Sequence, residues 1–148
     1  MTAGLGLIGH IRISVSDRER AQRFWGPTLA RLGFSLADEN EDRVCYRLER
    51  DGQRLSFLLS EAPPECRGDR FELGALGLHH LAFQAESRRQ VDDFHQFLVD
   101  SGATVQGPPA FYDYSPGYYA VYFRDPDNLK FELAHVPDAG AVGRPGTS

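Results

Sequence analysis

The sequence predicts an α+β fold made of two tandem βαβββ modules, and three observations carry that expectation. The stretch Gly9-His10-Ile11-Arg12-Ile13-Ser14-Val15 has a counterpart 70 positions on, in His79-His80-Leu81-Ala82-Phe83-Gln84-Ala85. At the same offset Arg18 meets Arg88, Ala21 meets Val91 and Phe24 meets Phe94, so the correspondence runs through a helix as well as a strand. In each copy a helical apolar spacing then gives way to short apolar runs separated by turn residues. One duplication is too little for a solenoid and suits a pseudo-twofold domain.

Taken in order, residues 8–15 alternate Ile11, Ile13 and Val15 with His10, Arg12 and Ser14, the period of a strand with one packed face. Asp17 caps a helix whose apolar positions Ala21, Phe24, Trp25, Leu29 and Leu32 share one side, and Gly33 closes it. Trp25 is in phase with the buried side. Strands are expected over 34–37, 44–49 and 54–59, with Arg50-Asp51-Gly52-Gln53 as a hairpin turn. Residues 61–77 hold Pro63-Pro64, Gly68, Gly74 and Gly77 and form a linker.

The second module repeats the order. A strand covers 78–85, Ser87 caps a helix carrying Val91, Phe94, Phe97 and Leu98, and Gly102 ends it. Strands follow over 103–106, 118–123 and 129–136, with an aromatic loop over 111–114 and a turn at Asp125-Pro126-Asp127-Asn128. That turn is too short for a calcium loop and lacks its bidentate glutamate. The chain is expected to form one domain over residues 1–136 (module one 8–60, linker 61–77, module two 78–136), with a disordered tail over 137–148.

A formal charge of −5, a pI near 5.5 and scattered basic residues argue against nucleic acid and against an anionic membrane surface. No apolar run approaches a spanning helix, and no charged segment leads into an apolar signal core, so a cytoplasmic location is expected. Cys45 and Cys66 make neither a close metal pair nor a disulfide framework, which suits a reducing compartment.

Strand parity carries the functional expectation. If Ile11, Ile13 and Val15 pack under their helix, His10, Arg12 and Ser14 face the other way, as do His80, Ala82 and Gln84, and Lys130, Glu132 and Ala134. Two curled sheets facing each other would enclose such polar faces in a cavity, where His10, His80 and Glu132 converge. Two imidazoles and one carboxylate suit one divalent ion, Mn, Fe, Co, Ni or Zn, with positions left open for substrate. Arg12, two residues beyond His10, is placed to hold an anionic substrate. A lone strand histidine is more often structural, and it is the matching positions in two modules that favour ligation. Alternation turns His79 away from His80, His95 lies on a helix, and His135 points opposite Glu132.

These stretches, together with Val121-Tyr122-Phe123-Arg124-Asp125-Pro126-Asp127 running to Lys130-Phe131-Glu132-Leu133, resemble the vicinal oxygen chelate superfamily. That group includes glyoxalase I, bleomycin-resistance proteins, extradiol dioxygenases, methylmalonyl-CoA epimerase and fosfomycin-resistance transferases. The resemblance implies a cupped eight-stranded mixed sheet around a metal, with the ligand positions carried over to His10, His80 and Glu132. It also implies a homodimer. The glyoxalase-type site has a fourth, acidic ligand in the last strand of the first module. Matching Phe57-Leu58-Leu59 to Phe131-Glu132-Leu133 puts Leu58 there, which cannot ligate and favours a three-ligand centre. Glu72 lies in the linker and is a poor replacement.

The expected activity is that of a glyoxalase-like metal-dependent enzyme of isomerase or lyase type, chelating a small substrate through vicinal oxygens. Tyr112, Tyr114 and Tyr118 are candidate substrate contacts, since the aromatic loop reads equally as a lid or as cover for a sheet edge. Asp113 is a weaker candidate for a general base. The alternatives are a metal-free bleomycin-resistance-like binder of small molecules and an iron-dependent extradiol-type dioxygenase.

Overall fold

The computed structural model describes residues 7–137. The chain divides into two compact units, Met1–Arg70 and Phe71–Ser148, each with its own sheet and helix. The tail expected over 137–148 lies, apart from Pro137, outside the described residues.

In the first unit β1 (His10–Val15) leads into α1 (Arg18–Arg31), then β2 (Ser35–Glu39), β3 (Val44–Arg50) and β4 (Gln53–Glu61). The sheet order is β1-β4-β3-β2, with β1 parallel to β4 and the other pairs antiparallel. Asp17 accepts a hydrogen bond from the Arg20 amide at 2.8 Å and so satisfies one of the free donors at the helix start. The β3–β4 turn has Asp51 at φ 51° and Gly52 at φ 75°, the left-handed pair that a two-residue hairpin requires. Trp25 and Leu29 of α1 are fully buried, and the Trp25 ring lies 4.7 Å from Phe57 of β4. Truncating such a side chain to alanine costs about 3–5 kcal/mol.

The second unit has β5 (Leu81–Gln84), α2 (Arg88–Asp100), β6 (Thr104–Val105), β7 (Ala110–Phe111), β8 (Tyr119–Arg124) and β9 (Lys130–His135). The order is β5-β9-β8-β6, with β7 also on β8. Ser87, 70 residues after Asp17, caps α2 in the same way, accepting from the Gln90 amide at 3.1 Å. Val91, Phe94 and Leu98 of α2 are buried, and the Phe94 ring packs on Phe123, which stacks with Phe131. β6 and β7 are two pieces of one edge position, parted at Gly107-Pro108-Pro109, because proline has no amide to give the ladder. Counting them together, each unit has the four strand positions that the sequence predicts.

One boundary differs with consequence. The strand expected over 78–85 begins at Leu81, so His79 and His80 stand just ahead of it and strand alternation does not govern them. No helix among the described residues is long and apolar enough to cross a membrane.

Candidate metal and substrate site

β9 sends Phe131 and Leu133 toward α2 and Glu132 toward the opposite face, where it is 2% exposed. It lies directly across from Tyr122 of β8 and, on its other side, from Ala82 of β5. Both carboxylate oxygens are engaged. Tyr118 donates its hydroxyl to Oε1 at 2.5 Å, and His80 Nε2 lies 3.1 Å from Oε2. Burying a carboxylate costs several kcal/mol, and such charge-assisted contacts offset it. The second nitrogen of His80 is engaged as well, with Nδ1 2.7 Å from His79 Nδ1. One tautomer assignment satisfies the chain: His79 Nδ1–H donates to His80 Nδ1, and His80 Nε2–H donates to Glu132.

Four tyrosines surround this carboxylate. The rings of Tyr112 and Tyr114 stack at 5.6 Å with their planes 2° apart, and each meets Tyr118 edge to face. Tyr122 stands edge-on to Tyr112 at 5.4 Å, and Lys130 Nζ lies 4.3 Å over the Tyr122 ring. Burial first, and then the hydrogen bond to Glu132, raises the Tyr118 hydroxyl above its ordinary range. Burial, the Glu132 charge and a hydrogen bond with Tyr114 raise Tyr122, and burial with Tyr114 and Glu132 raises Tyr112. All three hydroxyls therefore keep their protons beyond the ordinary tyrosine range. The loop is fastened by Tyr112 N–H to the Tyr118 carbonyl and Tyr118 N–H to the Ser115 carbonyl. Gly117 sits at φ 74°, and a Cβ there would come within 2.8 Å of Pro137 Cγ.

In the first unit, His10 opens β1 as an exposed residue paired with Ser56, and Arg12 pairs with Leu58. Arg12 Nε donates to Ser60 Oγ at 2.7 Å, which fixes the guanidinium on the same face as His10. The register confirms the alignment made from sequence: Arg12 pairs with Leu58 as Ala82 pairs with Glu132. Leucine thus stands where the other unit has its buried carboxylate.

Among the predicted site residues, His80, Glu132, Tyr112, Tyr114 and Tyr118 come together in the second unit, while His10 and Arg12 belong to the first. Among the described residues, no three His, Cys, Asp or Glu side chains cluster as a ready-made metal cage. Asp113 is exposed on the loop, and the Glu132 oxygens contact Tyr118 and His80 rather than it. Glu72 is exposed, and His135 Nδ1 lies 3.4 Å from the Ala85 carbonyl, a structural contact. His79 corrects the parity argument, since its ring packs edge to face on His80 at 5.0 Å. Sequence reasoning also missed Tyr122. Counting back from Glu132 through the Asp125–Asn128 turn would have found it as the cross-strand partner.

An imidazole nitrogen and a carboxylate oxygen 3.1 Å apart are of the donor types that a divalent first-row ion takes, once the proton between them is lost. Two βαβββ units of one pattern define the class: an α+β protein of paired modules. The chain belongs to the Glyoxalase/Bleomycin resistance protein/Dioxygenase superfamily, whose family model matches residues 7–133. It is 33% identical over 129 residues to the uncharacterized protein YqjT of Bacillus subtilis (strain 168), covering 84% of this chain and 94% of that one. A Bacillus halodurans protein provisionally named a glyoxalase superposes with a TM-score of 0.74 at 26% identity, covering 88% of this chain and 96% of its own. A glyoxalase/bleomycin resistance protein from Albidiferax ferrireducens T118 gives 0.66 at 28% identity, over 88% and 98% of the two chains.

Proposed function

We propose that this protein is a metal-dependent enzyme of glyoxalase type that holds a small substrate through two neighbouring oxygens and isomerises or cleaves it. His80 and Glu132 would be two of the metal's ligands, and His10 the third. The observation that carries the reading is the His80 Nε2 to Glu132 Oε2 contact at 3.1 Å beside a buried carboxylate. The matched places of His10 and His80 in the two modules support the third ligand. A divalent ion so held supplies a Lewis acid for an oxyanion that develops on the substrate.

The chain's own groups prepare that site. Tyr118 occupies Oε1 of Glu132, so Oε2, the oxygen beside His80, is the one that would hold an ion. A His80 ring holding an ion through Nε2 would carry its proton on Nδ1 and donate it to His79 Nδ1, the reverse of the metal-free tautomer, and the 2.7 Å contact would orient the ring. Arg12, held by Ser60, keeps its terminal N–H groups for an anionic substrate group, and the tyrosine wall packs on the substrate body. Asp113 is the candidate for moving a proton.

Metal analysis of protein purified without chelator tests this. About one ion per chain, lost in His80→Ala, is expected from counting one three-ligand centre. No metal under any loading would replace the enzyme with a metal-free small-molecule binder, a reading favoured by the stacked Tyr112 and Tyr114 rings. We place the protein in the cytoplasm, where its free thiols Cys45 and Cys66 stay reduced, and expect a homodimer, checked by sedimentation.

A further inference from the structure

The face of the first unit's sheet opposite α1 carries a second cation that the metal reading does not use. Tyr46 and Phe57 are cross-strand partners on the α1 side, so the next pair, Arg47 and Ser56, points the other way. Ser56 also pairs with His10. Arg47 therefore lies in one row with His10, two strands and roughly 10 Å away at the usual strand spacing, on the same face as Arg12.

Three arginines of this unit are matched by carboxylates. Asp38 is taken by Arg43 at 3.2 Å, Glu49 by Arg54 at 2.9 Å and Glu61 by Arg67 at 3.1 Å. Among the described residues Arg12 has the neutral Ser60 hydroxyl and no carboxylate, and the buried Nε of Arg47, like that of Arg43, has no hydrogen-bond partner. A guanidinium stays charged at any ordinary pH, and a buried N–H left unmatched is costly. Such a group is retained where an oxyanion matches it, and Arg47 and Arg12 stand on either side of β4 in adjacent same-face rows, those of Ser56 and Leu58.

We propose that Arg47 and Arg12 form an oxyanion site on this face, which takes the carboxylate or phosphate of a small organic anion. As a substrate contact it rests on the proposed function, and it narrows the substrate to an anion. As a binding site it needs no metal, so the two ideas can fail separately.

The test is calorimetric titration of the full-length, metal-free protein with malonate and with inorganic phosphate, the two probes separating a carboxylate from a phosphate ligand. Saturable binding of at least one probe is expected. Arg47→Met should weaken it by about tenfold or more, the loss of one bidentate charge-assisted contact. Its thermal midpoint should be unchanged or higher, because the apolar chain removes an unmatched buried donor. Arg47→Lys, which keeps the charge and loses the fork, should weaken binding severalfold; it carries the comparison if Arg47→Met is unstable. No saturable binding of either probe, or equal binding by wild type and both variants, meaning an adventitious ion only, overturns the proposal.

Discussion

Tyr118 and Glu132 are 14 residues apart and joined by a 2.5 Å hydrogen bond, which ties the aromatic loop to the buried carboxylate of β9. In Tyr118→Phe the Oε1 atom keeps its burial and loses its donor. The expected cost is about 1–3 kcal/mol of stability, read from thermal or urea unfolding. Outer partners of a metal ligand typically contribute 10–100-fold to affinity, so metal binding should weaken by about that factor in a metal-buffer titration.

His79 orients His80 through the 2.7 Å contact between their Nδ1 atoms. His79→Phe keeps a ring edge against His80 and removes the nitrogen. Metal affinity should fall by about tenfold or more while the folded structure persists, since His79 is exposed. A Co²⁺ absorption spectrum would register the altered imidazole, and an unchanged spectrum and affinity would remove His79 from the site.

Alkaline pH should unfold the protein through its tyrosines. Tyr118, Tyr122 and Tyr112 are held above the ordinary value of 10.0 in the fold, and Tyr46 and Tyr119 are raised as well, by burial and by the bond to Asp92 respectively. The unfolded chain ionises its tyrosines near 10.0, where the fold keeps these five protonated. Their stabilisation is therefore complete below that pH and is lost as pH climbs toward the folded values. Phenolate absorbance of these groups should rise together with loss of circular dichroism.

Gly117→Ala tests the placement of the loop. The position combines φ 74° with a 2.8 Å approach to Pro137, so the substitution meets both backbone strain and a clash. A loss of about 1–3 kcal/mol is expected, together with a weakened Tyr118 contact, visible as a shift of the tyrosine titration toward that of the free side chain.

Much of this was legible in the residues. The 70-residue repeat located both helices with their caps at Asp17 and Ser87, and Asp51-Gly52 announced its hairpin, because caps and turns are local chemistry. The equivalence of Leu58 with Glu132 was readable too, and the strand register bears it out. Legibility ended where long-range contacts decide. The place of His79 depends on where β5 stops pairing, which alternation assumed and did not establish. The Tyr118 bond needs a loop conformation set by Gly117 and Ser115. Arg47 looked like any strand arginine until the register placed it in the row of His10 and its neighbours' acids proved to be taken.

The break in the outer edge of the second sheet has a consequence for solution behaviour. An uninterrupted border strand offers an incoming chain a continuous row of amides on which to dock. Here the border is reduced to two stubs of two residues, Thr104–Val105 and Ala110–Phe111, parted by a pair of imino acids. A stray β-segment finds too few donors to grow from, so this border resists the edge-to-edge stacking that begins fibre formation.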